Sequence, residues 1–316
     1  MVEYTKGLHE LAEGVWGWLA PDGSWCLSNA GLIRGDGASF LVDTLFDYDM
    51  TREMLTAMAT PTADAPIVAA LNTHNNGDHT YGNKLLDPAV RIHATTHTGH
   101  EIDDLPPERF MALLEADMGP VLTPYLQHCF GAFNLDGVEL RRPDVTFDGE
   151  LVLDIGGREV CLVELAPAHT MGDSVAFVRD CGVLFAGDLL FVEGTSISWS
   201  GAVDNWIAAC DTMIGWDPQI VVPGHGPVTD VAGIRAARDY LAFVLDYAQT
   251  SQAAGLPWHE AADRIDLGPY ATLGDPERVV VTLHQVYRRA DPSIPEVSPV
   301  DLFGHMAVWR AKHVTA

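Results

Sequence analysis

The sequence predicts an α/β fold, and three features of the chain support this prediction. Short β-rich runs alternate with segments of helical spacing through the first 230 residues. Several of the apolar runs lead into polar segments that carry histidine or aspartate. Beyond Thr229 the spacing of apolar residues is helical throughout. We therefore expect one α/β domain over residues 1–230 and a C-terminal helical extension over residues 231–316 that packs on it.

The first half of the chain predicts strands, one helix and then a helical insertion. Turn sequences that contain glycine separate the first three strands. A short apolar run before a polar loop is typical of a buried strand that leads into a functional turn. The predicted strands cover residues 14–20, 25–34, 38–43 and 65–71, and the predicted helices cover residues 49–60 and an insertion at about 95–133.

The second half of the chain repeats this plan of strands, a polar loop at a strand end and a helix. Apolar runs again alternate with turn residues, so strands are expected here too. The predicted strands cover residues 150–154, 158–165, 174–178, 182–185 and 219–222, and the predicted helices cover residues 202–214, 232–247, 276–289 and 299–310.

The charge and cysteine content restrict the partners of the chain. The net charge is −26, and nucleic acids are bound by basic surfaces, so nuclease functions lose support. No apolar run is long enough to cross a bilayer, and no export signal is apparent at the N-terminus. The five cysteines are scattered, without a Cys-x-x-Cys pair, which is typical of a reducing compartment. We expect a cytoplasmic protein with a small-molecule substrate and no nucleic-acid or membrane partner, and a homodimer stays open.

A polar segment directly after the fourth predicted strand has the composition of a metal-binding loop. It reads Thr73-His74-Asn75-Asn76-Gly77-Asp78-His79 and places two imidazoles and a carboxylate within six positions. Imidazole and carboxylate are ligands suited to zinc, iron or manganese. The alternative interpretation is a surface loop that merely contains polar residues, because short motifs also occur by chance.

Three further predicted strand ends each carry one candidate ligand. His169 lies in Ala-His-Thr-Met-Gly-Asp between two strands, Asp188 follows a glycine at a strand end, and His225 lies between glycines after another strand. Each signal alone is weak, because an isolated histidine is more often structural than a ligand. The four elements together predict a metal centre.

In this order, the four elements resemble the ligand pattern of the metallo-β-lactamase superfamily, which is His-x-His-x-Asp-His followed by a distal His, a bridging Asp and a final His. The resemblance covers about residues 10–230. It implies an αββα sandwich with the metal centre at one edge of its two sheets, and it identifies Asp43 with an early acid that supports the site. It further implies His74 and His169 at a first metal position, Asp78, His79 and His225 at a second, and Asp188 as the bridge.

Asn76 departs from this pattern, because the family usually has its second histidine there. A carboxamide oxygen is a poorer ligand than imidazole for zinc-like ions. The second position keeps its full set of ligands, whereas the first keeps two histidines, the bridging acid and Asn76. We expect an asymmetric centre, with zinc as the metal (one or two ions) and with iron or manganese as alternatives.

The resemblance implies hydrolysis of a small ester, thioester, lactone or amide, in which a bound metal ion activates a water molecule and polarises the attacked group. Asp78 is expected to act as a ligand or as a proton acceptor. Tyr81 is a candidate donor to an oxyanion, with a packing role as the alternative. Trp199 and Trp206 flank the region where the family builds its substrate pocket and are candidates for substrate binding, although a core role is equally compatible.

Two other functions stay open at this point. An iron-dependent oxidoreductase on the same fold is compatible with Asn76, because iron accepts oxygen ligands. A non-catalytic binding protein on a degraded site would hold no metal. His93, His97 and His100 are expected to be structural or surface residues, since no acid accompanies them at a strand end.

Overall fold

The computed structural model describes residues 2–104 and 106–314. Within these residues two β-sheets face each other, and helices cover the outer side of each. This arrangement confirms the αββα sandwich with a helical insertion and C-terminal helices.

The first sheet combines an antiparallel half with a parallel half. Its strands pair in chain order, antiparallel from β1 to β4 and parallel from β4 to β7. In the described part of the chain its strands are β1 (Gly7–Ala12), β2 (Val15–Leu19), β3 (Ala30–Arg34), β4 (Ser39–Val42), β5 (Ile67–Leu71), β6 (Arg91–Thr95) and β7 (Val145–Phe147).

The second sheet is antiparallel except at one edge. Its order is β12-β11-β10-β9-β8, and β12, the last strand in the sequence, runs parallel to β11. Its strands are β8 (Glu150–Ile155), β9 (Arg158–Glu164), β10 (Ser174–Val178), β11 (Val183–Phe191) and β12 (Ile220–His225).

The helices fall into an N-terminal helix, an insertion and a C-terminal group. In the first sheet's half of the chain they are α1 (Tyr48–Met58), α2 (Gly77–Thr80), α3 (Thr96–Glu101), α4 (Pro107–Glu115) and α5 (Gly119–Phe130). The later helices are α6 (Val203–Gly215), α7 (Val231–Ala253), α8 (Trp258–Arg264), α9 (Val279–Ala290) and α10 (Pro299–His313). No helix among the described residues combines the length and apolarity needed to cross a bilayer.

The space between the sheets is filled by alternating side chains from both of them. Phe40 and Leu71 from the first sheet pack against Leu162 and Phe185 from the second, because side chains on a strand point alternately to opposite faces. A Cβ at Gly31 would collide with the Phe185 ring, so glycine at this position permits the close approach of the sheets.

Different helices cover the outer faces of the two sheets. Helix α1 begins after Asp47, whose carboxylate caps the Met50 N–H, and buries Met54 and Met58 against the first sheet. The second sheet is covered by α6 and α7, and α9 packs on α7 in turn. Helix α5 of the insertion contacts α10 of the C-terminal extension, so the two additions to the sandwich meet each other.

One predicted strand is partly wrong. The run at 25–34 is a strand only from Ala30 onward. Trp25 packs its side chain into a cluster of aromatic rings, and Cys26 takes a positive φ of 58°, which interrupts an extended backbone. Strands β1, β6 and β7 and helix α8 were not predicted, and β11 and β12 extend further than their apolar runs.

Candidate metal centre

The candidate ligands meet at one edge of the two sheets. The segment after β5 carries His74, Asp78 and His79, the β9–β10 connection carries His169, and β11 and β12 carry Asp188 and His225. All are buried except Asp78, whose side chain is 13% exposed. A buried group of imidazoles and carboxylates costs free energy unless its members are paired or bind a metal.

The side chains form two groups, each compact enough to hold an ion. In the first, His74, His169 and Asp188 each offer an atom within 4.8 Å of the others. In the second, Asp78, His79 and His225 do the same. This division matches the two positions that the sequence resemblance implies.

Asp188 lies between the two groups with one oxygen toward each. Its Oδ2 is 3.7 Å from His74 Nε2 and 3.4 Å from His169 Nε2. Its Oδ1 is 3.1 Å from His79 Nε2 and 3.5 Å from His225 Nε2. Gly187 and Gly224 permit this position, because Gly187 takes a positive φ of 51° and a Cβ at Gly224 would collide with Asp188 Oδ1.

Several buried polar atoms at the centre make no hydrogen bond within the described part of the chain, and their chemistry fits a metal ion. His74 Nε2, His79 Nε2 and Asp188 Oδ1 are buried and have no hydrogen-bond partner among the described residues. Each is a common metal donor, and leaving buried polar atoms unpaired is otherwise unfavourable.

Asp43 orients two of these imidazoles from behind. It accepts hydrogen bonds from the Thr73 N–H and Oγ–H, both at 2.8 Å, and from His79 Nδ1 at 2.9 Å. Since the Thr73 hydroxyl donates to Asp43, its oxygen accepts from His74 Nδ1 at 3.0 Å. Both rings are thereby held with Nε2 directed at the centre, the usual arrangement for histidine ligands.

His169 is fixed by backbone contacts. Its Nδ1 donates to the Ile197 carbonyl at 2.5 Å. Asp173 stabilises the loop that carries it by accepting hydrogen bonds from the backbone N–H groups of Ala168 and Thr170. The Trp206 ring packs edge-on against the imidazole at 5.9 Å between centroids.

Asn76 lies at the first group and does not cap helix α2 with its side chain, although it precedes that helix. Instead its Oδ1 is 2.8 Å from His169 Nε2. Because Nδ1 of that ring donates to Ile197, a neutral His169 presents a lone pair at Nε2, so two acceptors face each other. A rotated carboxamide, whose N–H₂ would donate to Nε2, or a cation bound by both atoms resolves this contact.

The opposite charges of the second group shift its pKa values strongly. Although burial opposes the change, Asp188 and Asp78 raise the pKa of His225 to about 9. Asp188 and Asp43 likewise raise the pKa of His79 well above its usual value against the effect of burial. Burial also opposes ionisation of Asp78, but His79 and His225 lower its pKa to about 2. Without a metal, protons on the imidazoles balance the carboxylates.

The other predicted site residues lie nearby in differing environments. The Tyr81 ring is buried, stacks on Phe46 at 5.4 Å and covers Gly77, and burial raises its pKa. Trp199 is half-buried, and its backbone N–H donates to the His169 carbonyl. Trp206 is fully buried and donates its indole N–H to a backbone carbonyl, so its placement favours support of His169 over substrate contact.

The three additional histidines stay outside the two ligand groups. His93 is buried on β6 and its Nδ1 lies 3.2 Å from the Ala70 carbonyl, whereas His97 and His100 are exposed on α3.

Several supporting residues were not predicted from the sequence as parts of the site. Asn29 donates from its side chain to the carbonyls of Pro223 and Gly226, on either side of His225. Phe191 stacks on the His225 ring. Thr73 directly precedes His74 and Asp173 lies four positions after His169, so their places within the motif segments were the signal that could have identified them.

Comparison with known families and structures agrees with this geometry. A sequence model of the metallo-β-lactamase superfamily matches residues 23–225, which include every candidate ligand. Comparison with curated proteins gives no match.

The similar solved structures share the fold at low sequence identity. The sec-alkylsulfatase Pisa1 from Pseudomonas sp. has a TM-score of 0.68 at 16% identity, over 93% of this chain and 52% of that chain. This chain therefore spans about half the length of that protein. The metallo-β-lactamase DIM-1 has a TM-score of 0.57 at 19% identity, over 76% of this chain and 99% of that chain. A metallo-β-lactamase from Pontibacter korlensis has a TM-score of 0.56 at 18% identity, over 75% and 99% of the two chains.

Proposed function

The chain belongs to the metallo-β-lactamase superfamily, and we propose that it is a metal-dependent hydrolase of a small ester, thioester, lactone or amide. The observation that carries this proposal is the position of Asp188, with one carboxylate oxygen toward each of two buried ligand groups. A bound ion would supply an activated water and polarise the attacked group.

The second position has the stronger set of donors. Asp78, His79, His225 and the Oδ1 of Asp188 would hold the ion there, with two imidazoles and two carboxylates, a set that suits zinc. We assign the tightly held metal to this position.

Asp78 has a second role in the proposed reaction. Its Oδ2 lies 3.3 Å from His225 Nε2, and its side chain is the most exposed of the second group. A carboxylate that borders both the ligands and the open side of the centre can orient a water molecule and accept its proton.

The first position holds a different set of donors. His74, His169 and Asp188 are joined there by the Asn76 carboxamide. This set has the same number of imidazoles as the second, but one of its two oxygens belongs to a neutral carboxamide, a weaker donor than a carboxylate, so it favours a more weakly held ion.

The surroundings of the centre favour an apolar group on the substrate. Trp199, whose backbone is bonded to His169, packs at 5.5 Å from Phe303 of α10 and at 6.4 Å from Trp25. Phe130 of the insertion joins them at 5.6 Å from Trp25. Because Trp199 and Phe303 are only half-buried, their rings offer apolar surface beside the ligand loops. Tyr81 is placed further inward and remains a weaker candidate for contact with the reacting group.

The test is metal analysis joined to a hydrolysis screen. The screen covers chromogenic esters, thioesters and lactones, together with ceftazidime and a sec-alkyl sulfate, which the names of the structural neighbours suggest. We expect hydrolysis that disappears on chelation and returns with added zinc. A chain that binds no metal, or one whose hydrolysis ignores chelation, would contradict the proposal.

An iron-dependent oxidoreductase is the second candidate, and Asn76 favours it. Its oxygen at the first position suits iron or manganese better than zinc. Stoichiometric iron in protein purified without added metal, with oxygen uptake and no hydrolysis, would favour this candidate over the first.

A further inference from the structure

His225 differs from the other three candidate histidine ligands in how its ring is held. His74, His79 and His169 each have a polar partner at Nδ1. His225 Nδ1 is buried, and no hydrogen-bond partner lies near it among the described residues. Histidine ligands almost always donate their second ring nitrogen to an acceptor, so another contact must fix the orientation of this ring.

Phe191 makes that contact. Its ring lies parallel to the His225 ring, with an interplanar angle of 2° and 5.1 Å between centroids. The two residues are Cα partners where β11 runs beside β12. A parallel, offset stack restricts the rotation of an imidazole about its χ2 angle, because turning the ring would tilt it out of contact with its neighbour.

Arg278 in turn covers Phe191. The guanidinium lies over the Phe191 ring at 5.5 Å and over the Trp25 ring at 4.2 Å. It is paired with Asp275 at 3.0 Å, and that carboxylate also accepts a hydrogen bond from Ser24. Arg278 is 2% exposed and its Nε has no hydrogen-bond partner among the described residues. A buried guanidinium that is incompletely paired costs free energy. An apolar residue before α9 could fill the same space without this cost, so packing alone does not explain an arginine here.

Arg278 also comes from outside the part of the chain that matches the superfamily. The match ends at residue 225, and Arg278 immediately precedes α9 in the C-terminal extension. The extension therefore reaches back to the wall of the second metal position through the Arg278 side chain.

We propose that Phe191 and Arg278 are positioning residues that fix His225 by stacking, in place of the usual hydrogen bond, so that the C-terminal extension forms part of the second metal position. This inference rests on the proposed metal-dependent function.

The experiment measures metal affinity and the geometry of the bound ion directly. The full chain and its variants are loaded with Zn²⁺ or Co²⁺, the Kd is obtained by chelator competition, and the Co²⁺ absorption spectrum reports the ligand geometry. Phe191→Leu keeps an apolar side chain but removes the stack, and Arg278→Lys keeps the charge but removes the planar group. Arg310→Lys is the matched control, because Arg310 pairs with the buried Glu277 in the same extension without covering Phe191.

We expect Phe191→Leu to weaken metal binding at least about 10-fold and to alter the Co²⁺ spectrum, as substitutions behind a metal ligand commonly do. Arg278→Lys should change both readouts in the same direction, whereas Arg310→Lys should leave both unchanged even if it lowers the Tm. Wild-type affinity and spectrum in folded Phe191→Leu would overturn the inference, even if Arg278→Lys fails to fold. An unmodified chain that binds neither ion would instead overturn the proposed function.

Discussion

The Asn76 carboxamide oxygen lies 2.8 Å from His169 Nε2, at the place where the superfamily pattern has a second histidine. Asn76 departs from the superfamily pattern, whereas His169 is a candidate ligand that matches it. Their contact makes the first metal position unlike the second, and this asymmetry governs how the centre should respond to substitution.

Asn76→His should increase the number of zinc ions that the chain binds. An imidazole at this position replaces a weak oxygen donor and completes a three-histidine set with His74 and His169. Zinc titration followed by isothermal calorimetry measures the stoichiometry in both proteins. An unchanged stoichiometry would show that the geometry of the first position, and not the identity of its donor, limits binding.

His225→Ala should empty the second metal position. The substitution removes one of two imidazoles there, and the remaining groups would be Asp78, His79 and one oxygen of Asp188. We expect the tightly held ion to be lost, with hydrolysis reduced to background. Metal analysis after desalting checks this, and a variant with full metal content would refute the ligand assignment.

Asp43→Asn should weaken metal binding about 10- to 100-fold, because substitutions behind the ligands typically have this effect. The carboxylate holds His79 and Thr73, and a carboxamide accepts fewer hydrogen bonds and presents an N–H₂ to a donor. Chelator competition gives the Kd. Asp64→Asn is the control, since that carboxylate is exposed and pairs with Arg34 at the surface; equal affinities for the two variants would count against a role for Asp43.

Metal binding should strengthen with rising pH and release protons. The pKa of His225 is raised from 6.5 to about 9 in the folded chain without metal, so between these values an ion must displace a proton from it. The same raised pKa stabilises the metal-free fold fully below pH 6.5, and this contribution is lost as the pH rises through about 9. Calorimetry in two buffers of different ionisation enthalpy counts the protons; binding without proton release at pH 7.5 would contradict this charge state.

The candidate ligands could be selected from the sequence because most of them lie where an apolar run meets a polar segment. His74 and His169 lie in segments that follow strands and His225 ends β12, so the fold brings all three to one edge of the sheets. Asp188 was harder to place, because it lies inside β11 and not at its end. Its burial is offset by the imidazoles around it, a contact that only the tertiary structure shows.

The remaining features depend on pairing between distant parts of the chain. Strand β7 has three residues and exists because β6 pairs with it. Arg278 has no neighbour in sequence that indicates a role, and its contact with Trp25 joins residues far apart in the chain. Asn29 likewise donates a hydrogen bond to the Gly226 carbonyl beside His225, far from it in the sequence. The spacing of residues along the chain predicts none of these contacts.

The metal content of the purified chain, measured together with hydrolysis before and after chelation, decides whether this protein is a metal-dependent hydrolase. We expect about one tightly held ion per chain, because the donors of the second position are all imidazoles or carboxylates, whereas the first position includes the weaker Asn76 carboxamide. Hydrolysis should disappear when this ion is removed and return when zinc is added. A chain that purifies without metal, binds none on titration and hydrolyses its substrate unchanged in the presence of a chelator would contradict the account.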